Sequence, residues 1–224
     1  MLTHAPWTET PGLRHGFLDR NECGDASDWA AVMRRTGTSV PLVRPRQVHG
    51  ATVLVSDEVT PTSEADAVVA ARPGVAVGII TADCAPILLR DRGGRAVAAV
   101  HAGWRGAAAG VLEATLASLH RVAGVEPRDI EAAVGPTVGA CCYEVGPEVR
   151  EALVTRAGPR VTSAFTARGD RFMFDLRSAI HTLAVDAGLT IASVGPCTMC
   201  SGDYASYRRD GATAGRQLSF IALT

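Results

Sequence analysis

The chain predicts a single domain, residues 1–224, of the mixed α+β class. Three observations predict it. Apolar, β-branched runs at residues 75–80 and 95–100 read as strands. Residues 106–122 place Val111, Leu112, Thr115, Leu116 and Leu119 at helical spacing. Short strand-like runs at 130–134 and 191–194 fall between helical stretches. No linker, repeat or low-complexity segment divides the chain, and 224 residues suffice for one well-buried core.

The elements follow in order. Residues 1–20 read as a strand pair, with 13–18 the clearer member. Residues 26–36 read as a short helix capped by Asp25 or Ser27, with Trp29, Val32 and Met33 on its apolar face. Residues 52–55 and 75–80 are strands, and the strand reading resumes at 87–89 after Pro86. Asp91-Arg92-Gly93-Gly94 is a turn, and the strand at 95–100 runs up to His101. The helix at 106–122 stops at Gly124, with His120 and Arg121 where cations suit a helix C-terminus. A strand at 130–134 leads into the glycine-bounded loop 135–139. Pro147 opens a helix to about 156. Residues 172–176 start a segment that becomes the helix 177–187, closed by Gly188. Strands at 191–194 and 218–223 complete the chain.

Composition excludes several function classes. Lys+Arg 22 against Asp+Glu 23 leaves a formal charge of −1 and no basic stripe, so nucleic acid is not an expected partner. No apolar run reaches the ~18 residues of a membrane span. The N-terminus lacks the charged start and apolar core of a signal peptide, which makes the cytoplasm the expected location. The six cysteines are then expected as thiols or ligands rather than disulfides.

Three motifs each deliver one metal-ligand type: Arg46-Gln47-Val48-His49-Gly50, Thr81-Ala82-Asp83-Cys84-Ala85-Pro86 and His101-Ala102-Gly103-Trp104-Arg105-Gly106. Two imidazoles and a thiolate suit zinc, and three protein ligands leave a position open. Their spacing matches no local zinc motif, so His49, Cys84 and His101 must converge through the fold. Taken singly, each is more often a packed or solvated residue than a ligand. Asp83 is placed to orient an imidazole N–H. Gly103-Trp104-Arg105-Gly106 joins strand to helix, and Arg105 with Arg46 suits an anion near the metal; a structural salt bridge for Arg105 is the bland alternative. The loop Gly135 to Gly146 is a candidate substrate loop, with one of Cys141 and Cys142 facing the pocket. Cys197-Thr198-Met199-Cys200 reads as redox-active or as half of a structural zinc site. Cys141-Cys142 has the wrong spacing to complete a Cys₄ set, so a second metal is not expected, nor is thioredoxin-like chemistry, whose motif should open a helix after an N-terminal strand. Tyr207-Arg208-Arg209-Asp210-Gly211 is a solvated turn or an anion contact. His4, His15, His120 and His181 are expected to be structural.

The ordered set of these motifs, with Ala65-Asp66-Ala67, Gly135-Pro136, Cys142-Tyr143-Glu144-Val145 and Ser206-Tyr207-Arg208-Arg209-Asp210, resembles the YfiH-like, or laccase-domain, family over residues 40–224. The resemblance implies a mixed β-sandwich flanked by helices, in α/β/β/α layers. It implies zinc, with copper the older assignment, held by His49, Cys84 and His101. It implies phosphorolysis of adenosine, inosine and methylthioadenosine and deamination of adenosine, with nucleoside and phosphate as small-molecule partners of a monomer or weak homo-oligomer. On the matching positions Cys84, Arg46 and Asp83 would be catalytic, and Gln47, Arg105, Cys142 and Arg208 would bind substrate or phosphate. One departure concerns the rim: family members carry a longer segment after the His-Gly-Phe motif, whereas here His15-Gly16-Phe17 runs almost directly into the helix-like stretch at 25–35.

Competing readings remain open at the level of sequence. A metal-free cysteine hydrolase would use Cys84 as nucleophile and His101 or His49 as base, including a role in editing peptidoglycan precursors. A copper-dependent polyphenol oxidase would need more histidines than the six present. A metal-stabilised binding module would need no chemistry at all.

Overall fold

The computed structural model describes residues 1–24 and 28–224. Two sheets stack face to face. The larger runs, in spatial order, β12 (Thr190–Ser193), β8 (Ile130–Val134), β6 (Ala85–Asp91), β7 (Val97–Ala102), β4 (Ala67–Ala70) and β3 (Val53–Val55). The smaller runs β1 (Leu13–Phe17), β13 (Gln217–Leu223), β5 (Val75–Thr81) and β2 (Leu42–Val43). A three-stranded ribbon of β10 (Phe165–Arg168), β11 (Arg171–Phe174) and β9 (Glu144–Val145) joins the helical side. The helices are α1 (Ala5–Thr8), α2 (Arg20–Cys23), α3 (Trp29–Arg35), α4 (Trp104–Ala109), α5 (Val111–Ala123), α6 (Pro147–Ala157), α7 (Leu176–Asp186) and α8 (Tyr207–Asp210). Among the described residues no helix is long and apolar enough to cross a membrane.

The layering follows from the two-residue period of the strands. Val68, Leu88, Val97, Ala99 and Ala133 of the larger sheet meet Val75, Val77, Ile79 and Ile221 of the smaller. Their alternates Val69, Ile87, Leu89, Val100 and Val134 face the other way, onto Leu112, Leu116 and Leu119 of α5 and Ile180 and Leu183 of α7. On the far side, Ala76, Leu218, Phe220 and Ala222 pack on Cys23, Val32 and Met33 of α2 and α3. The result is the expected α/β/β/α sandwich. Sheets covered on both faces need apolar residues at every position, which is why β5 and β7 read as unbroken apolar runs. Leu88 is wholly buried between the sheets, and its truncation to Ala is expected to cost about 2–5 kcal/mol.

Several sequence expectations need correction. Residues 1–12 form no second strand; Leu2 makes a single bridge to Phe17 and α1 buries Trp7 instead. The cap of α3 is Asp28, whose Oδ1 accepts from the Ala31 N–H at 3.0 Å; Asp25 and Ser27 lie outside the described residues. The helix expected at 106–122 is two helices, broken at Gly110, where φ is +86°. A left-handed residue ends a helix, and glycine adopts it without a Cβ penalty. Residues 171–174 are a strand hairpinned to β10 rather than a lead-in to α7. Strand β4, between β7 and the edge strand β3, carried no strand expectation because Ala67-Val68-Val69-Ala70 is too short to show a period.

Candidate active site and metal centre

The β6–β7 hairpin sets the site. Its antiparallel register pairs Ala85 with Ala102 and Pro86 with His101, which carries Cys84, just before β6, opposite Gly103, just after β7. A Cβ on Gly103 would stand 2.8 Å from Cys84 Sγ and 3.5 Å from His49 Cδ2. Only a residue without a side chain leaves room there for the thiol and the His49 ring. The His49 and His101 rings meet edge-on, with centroids 4.8 Å apart. Ligand atoms of His49, Cys84 and His101 all lie within 4.8 Å of one another. The three expected metal ligands therefore converge.

His49 reaches its place with φ at +62°, a conformation that costs a non-glycine residue energy unless neighbours hold it. Asp66 holds it. Its wholly buried carboxylate accepts N–H bonds from His49 at 2.9 Å and Gly50 at 2.6 Å, and a longer one from Val48 at 3.3 Å. The same carboxylate accepts from Nδ1 of His101 at 2.8 Å. Asp66, immediately before β4, thus fixes one histidine by its backbone and the other by its ring, leaving His101 Nε2 for the site. This is the role the sequence had offered to Asp83. Asp66 had appeared only as part of a matched motif, and its signal would have been the lone carboxylate in an otherwise apolar run.

Asp83 is engaged elsewhere. At φ +85°, its Oδ1 accepts from Thr198 Oγ1 at 2.6 Å and its Oδ2 from the Arg208 N–H at 2.7 Å. It ties the bend before Cys84 to the Thr198 loop and to the start of α8, and does not orient an imidazole.

Burial opposes a thiolate at Cys84, but the hydrogen bonds and positive charge of His101 and His49 outweigh it and bring the thiol down to about 6. Burial likewise opposes the charged form of His101, and the Asp66 and Cys84 contacts outweigh it and raise the ring to about 9. Asp66 stays below the usual carboxylate range: burial pushes it up, and the His101 hydrogen bond and the Gly50 and His49 amides more than reverse this.

The triplet opens on a cleft of about 890 Å³. Arg44, Arg46, Arg105, Arg208 and Arg216 line it, with Trp104, Tyr143 and Tyr207 as aromatic walls. Arg105 stacks on Trp104 at 4.5 Å, and Arg208 on Tyr143 at 4.4 Å while bonding the Glu144 carbonyl at 3.0 Å. Arg46 pairs with Glu64. The Gln47 amide closes both its bonds on the backbone of Ile80, at 2.7 and 2.8 Å, so this side chain braces the cleft wall as a strand partner would. Burial, with the Cys84 charge adding to it, pushes the Tyr143 phenol up to about 12. Thr81, also on the wall, is buried and its hydroxyl has no hydrogen-bond partner among the described residues. Neither Tyr143 nor Thr81 had been singled out from the sequence for a functional role.

Cys142 is a correction. It faces away from the cleft, with its Sγ 3.3 Å from Cys200 Sγ. Cys141, Cys142, Cys197 and Cys200 form a second group of ligand atoms within 4.8 Å of one another. The sequence spacing had argued against this meeting, because adjacent cysteines match no local zinc pattern; the fold brings the two loops together regardless.

A family model described as multi-copper polyphenol oxidoreductase laccase matches residues 21–224. The chain belongs to this family. As a laccase-domain protein it is similar to purine nucleoside phosphorylase YfiH of Escherichia coli K12, 39% identical over 209 residues that cover 90% of this chain and 84% of the relative. It is also similar to purine nucleoside phosphorylase PA4543 of Pseudomonas aeruginosa PAO1, 45% identical over 181 residues, covering 79% and 72%. Among solved structures, protein NMB0706 of Neisseria meningitidis aligns with a TM-score of 0.80 at 37% identity, covering 87% of this chain and 79% of its own. YlmD of Geobacillus stearothermophilus aligns with a TM-score of 0.83 at 25% identity, covering 95% and 92%.

Proposed function

We propose that this chain is a purine nucleoside phosphorylase that holds zinc on His49, Cys84 and His101. The observation that carries the reading is the placement of this triplet on a cleft lined by five arginines and three aromatic rings. Two relatives named purine nucleoside phosphorylase support it.

The donor set fits the metal. Two imidazoles and a thiolate, one ring held by a buried carboxylate, match a three-ligand zinc site with its outer support. Bound there, zinc supplies Lewis-acid polarisation of a ligand oxygen. The same donors accept copper, but among the described residues only two histidines gather, enough for one ion and not for a multi-copper cluster.

The chain's own residues do the rest. In phosphorolysis a phosphate oxygen bonds C1′ of the ribose, the C1′–N9 bond breaks with its electrons going to the purine, and the base leaves after gaining a proton. Arg105 and Arg208, backed by Arg46, hold the phosphate dianion in fork geometry and orient it for attack. Trp104 and Tyr143 offer apolar faces to the base. The Tyr143 phenol stays protonated at neutral pH and donates a hydrogen bond from the wall. The Thr81 hydroxyl is placed to pair with a sugar or base group.

Deamination of adenosine would use the same cleft with water in place of phosphate, releasing ammonia from C6. A metal-free cysteine hydrolase is the competing reading, since Cys84 lies between two imidazoles. Incubation with adenosine, inosine or methylthioadenosine, with and without phosphate, tests the proposal. Free base and ribose 1-phosphate (or its methylthio analogue) formed only with phosphate support phosphorolysis. Inosine and ammonia formed without phosphate identify deamination, and no turnover of any nucleoside overturns the reading.

A further inference from the structure

We propose that Cys141, Cys142, Cys197 and Cys200 form a second, structural zinc site, independent of the cleft triplet. Their four sulfurs lie within 4.8 Å of one another. The Cys200 sulfur is 3.5 Å from that of Cys141 and 3.3 Å from that of Cys142. A tetrahedral zinc with Zn–S of about 2.3 Å has sulfur–sulfur edges of about 3.8 Å, so the cluster needs only small side-chain adjustments to close on an ion. A single disulfide would satisfy two of the four sulfurs and leave the other pair crowded beside it.

The surroundings are those of a thiolate cluster. Cys197 Sγ accepts the Gly139 N–H at 3.2 Å, and the amides of Cys200 and Met199 also face it. Such N–H groups around ligating sulfur are the outer support that metal sites use. Arg177 lies across the same two loops, donating to the carbonyls of Gly195 at 3.1 Å and Gly135 at 3.5 Å. It brings a cation toward a site that, with four thiolates and one Zn²⁺, carries a net charge of −2. On binding, each thiol gives its proton to solvent and its sulfur lone pair to zinc, and no oxidant is involved.

The loops joined by this site form part of the cleft. Thr137 and Cys197 make a bridge, and the Thr198 N–H bonds the Thr137 carbonyl at 3.1 Å. Thr198 and Arg208 anchor Asp83, and Tyr143 follows Cys142. A metal here staples the loop that leads into Tyr143 to the loop that precedes Arg208, and both loops bond Asp83, the neighbour of Cys84.

The test uses the full chain, reduced and stripped of metal, first without any substitution and then in a variant that removes the cleft site. Zinc is added back in steps while alkylation of each cysteine is followed by mass spectrometry. The expected result is two equivalents bound, one protecting Cys84 and one protecting all four clustered cysteines together. Cobalt(II) titration of the H49A/H101A variant should still bind one equivalent and show thiolate-to-cobalt charge transfer with tetrahedral bands, and adding C197S/C200S should abolish both. Protection of Cys84 alone, with one equivalent in total, overturns the proposal. So does loss of two hydrogens from the cluster under reducing conditions, which would mark a disulfide. Because the His variant isolates the cluster, failure of the cleft metal and failure of this site are read separately.

Discussion

The carboxylate of Asp66 lies 2.8 Å from Nδ1 of His101, with the aspartate wholly buried and the histidine 3% exposed. The same group accepts the N–H of His49, so one carboxylate sets the position of both imidazoles. A carboxylate behind a ligating histidine fixes its tautomer and raises its basicity, and losing it typically costs ten- to hundredfold in metal affinity. Asp66→Asn keeps the size but turns an N–H donor toward groups that are themselves donors. Zinc affinity of D66N, measured by competition with a chromophoric chelator, is expected to fall by about that factor. Unchanged affinity would show that the pair does not govern the site.

Gly103→Ala is a sharper test of packing. The added methyl would stand 2.8 Å from Cys84 Sγ. The backbone φ of −75° accepts alanine, so the cost is steric and local. Overpacking of about 1–3 kcal/mol, if relieved by displacing the thiol, translates to roughly a five- to hundredfold loss of metal affinity, with the far-ultraviolet circular dichroism unchanged.

Arg105 makes no salt bridge among the described residues and lies against the face of Trp104 at the cleft. If it holds phosphate, R105A forfeits a charge-assisted hydrogen bond of about 1.5–3 kcal/mol. The KM for phosphate should rise by roughly ten- to hundredfold, with metal content unchanged. R105K should recover only part, since lysine lacks the planar fork. Steady-state kinetics at varied phosphate decides it.

Far from the cleft, His15 gives the fold an acid-sensitive point. Burial, with His4 and Arg90 adding to it, holds its ring down at about 4 against an ordinary 6.5, and its Nε2 accepts the His4 N–H at 2.9 Å. Between pH 6.5 and 4 the unfolded chain therefore binds more protons at this residue than the folded one. Its contribution to stability is intact above pH 6.5 and falls with pH through that window, by up to about 3 kcal/mol. H15Q keeps an acceptor and cannot be protonated. Denaturant unfolding at pH 7.5, 5.5 and 4.5 should show a smaller loss for H15Q than for the parent.

Much of this was legible in the residues. Strands with sustained apolar runs, such as β5 and β8, announced themselves, and so did the amphipathic face of α5. The ligands His49, Cys84 and His101 stood out because each ends or follows an apolar stretch in a distinctive motif. What stayed hidden was set by tertiary contact. The partnership of Asp66 with two residues 17 and 35 positions away has no local pattern. Nor does the meeting of Cys142 with Cys200, 58 positions apart. Gln47 was expected as a substrate contact by family resemblance, but its amide completes the edge of β5. Asp83 looked like an imidazole partner because it adjoins Cys84, yet its φ of +85° turns its carboxylate to the Thr198 hydroxyl and the Arg208 amide.

The central claim is that metal on His49, Cys84 and His101 supports turnover of a purine nucleoside in this cleft. The most direct measurement follows phosphate-dependent release of base from adenosine or inosine by the purified chain, before chelation, after it, and after zinc is restored. The account predicts that activity falls with the zinc of this triplet, returns with zinc, and is absent from H49A/H101A at every zinc concentration. Undiminished base release from the metal-free chain or from that variant would contradict it and leave Cys84 as a metal-independent nucleophile.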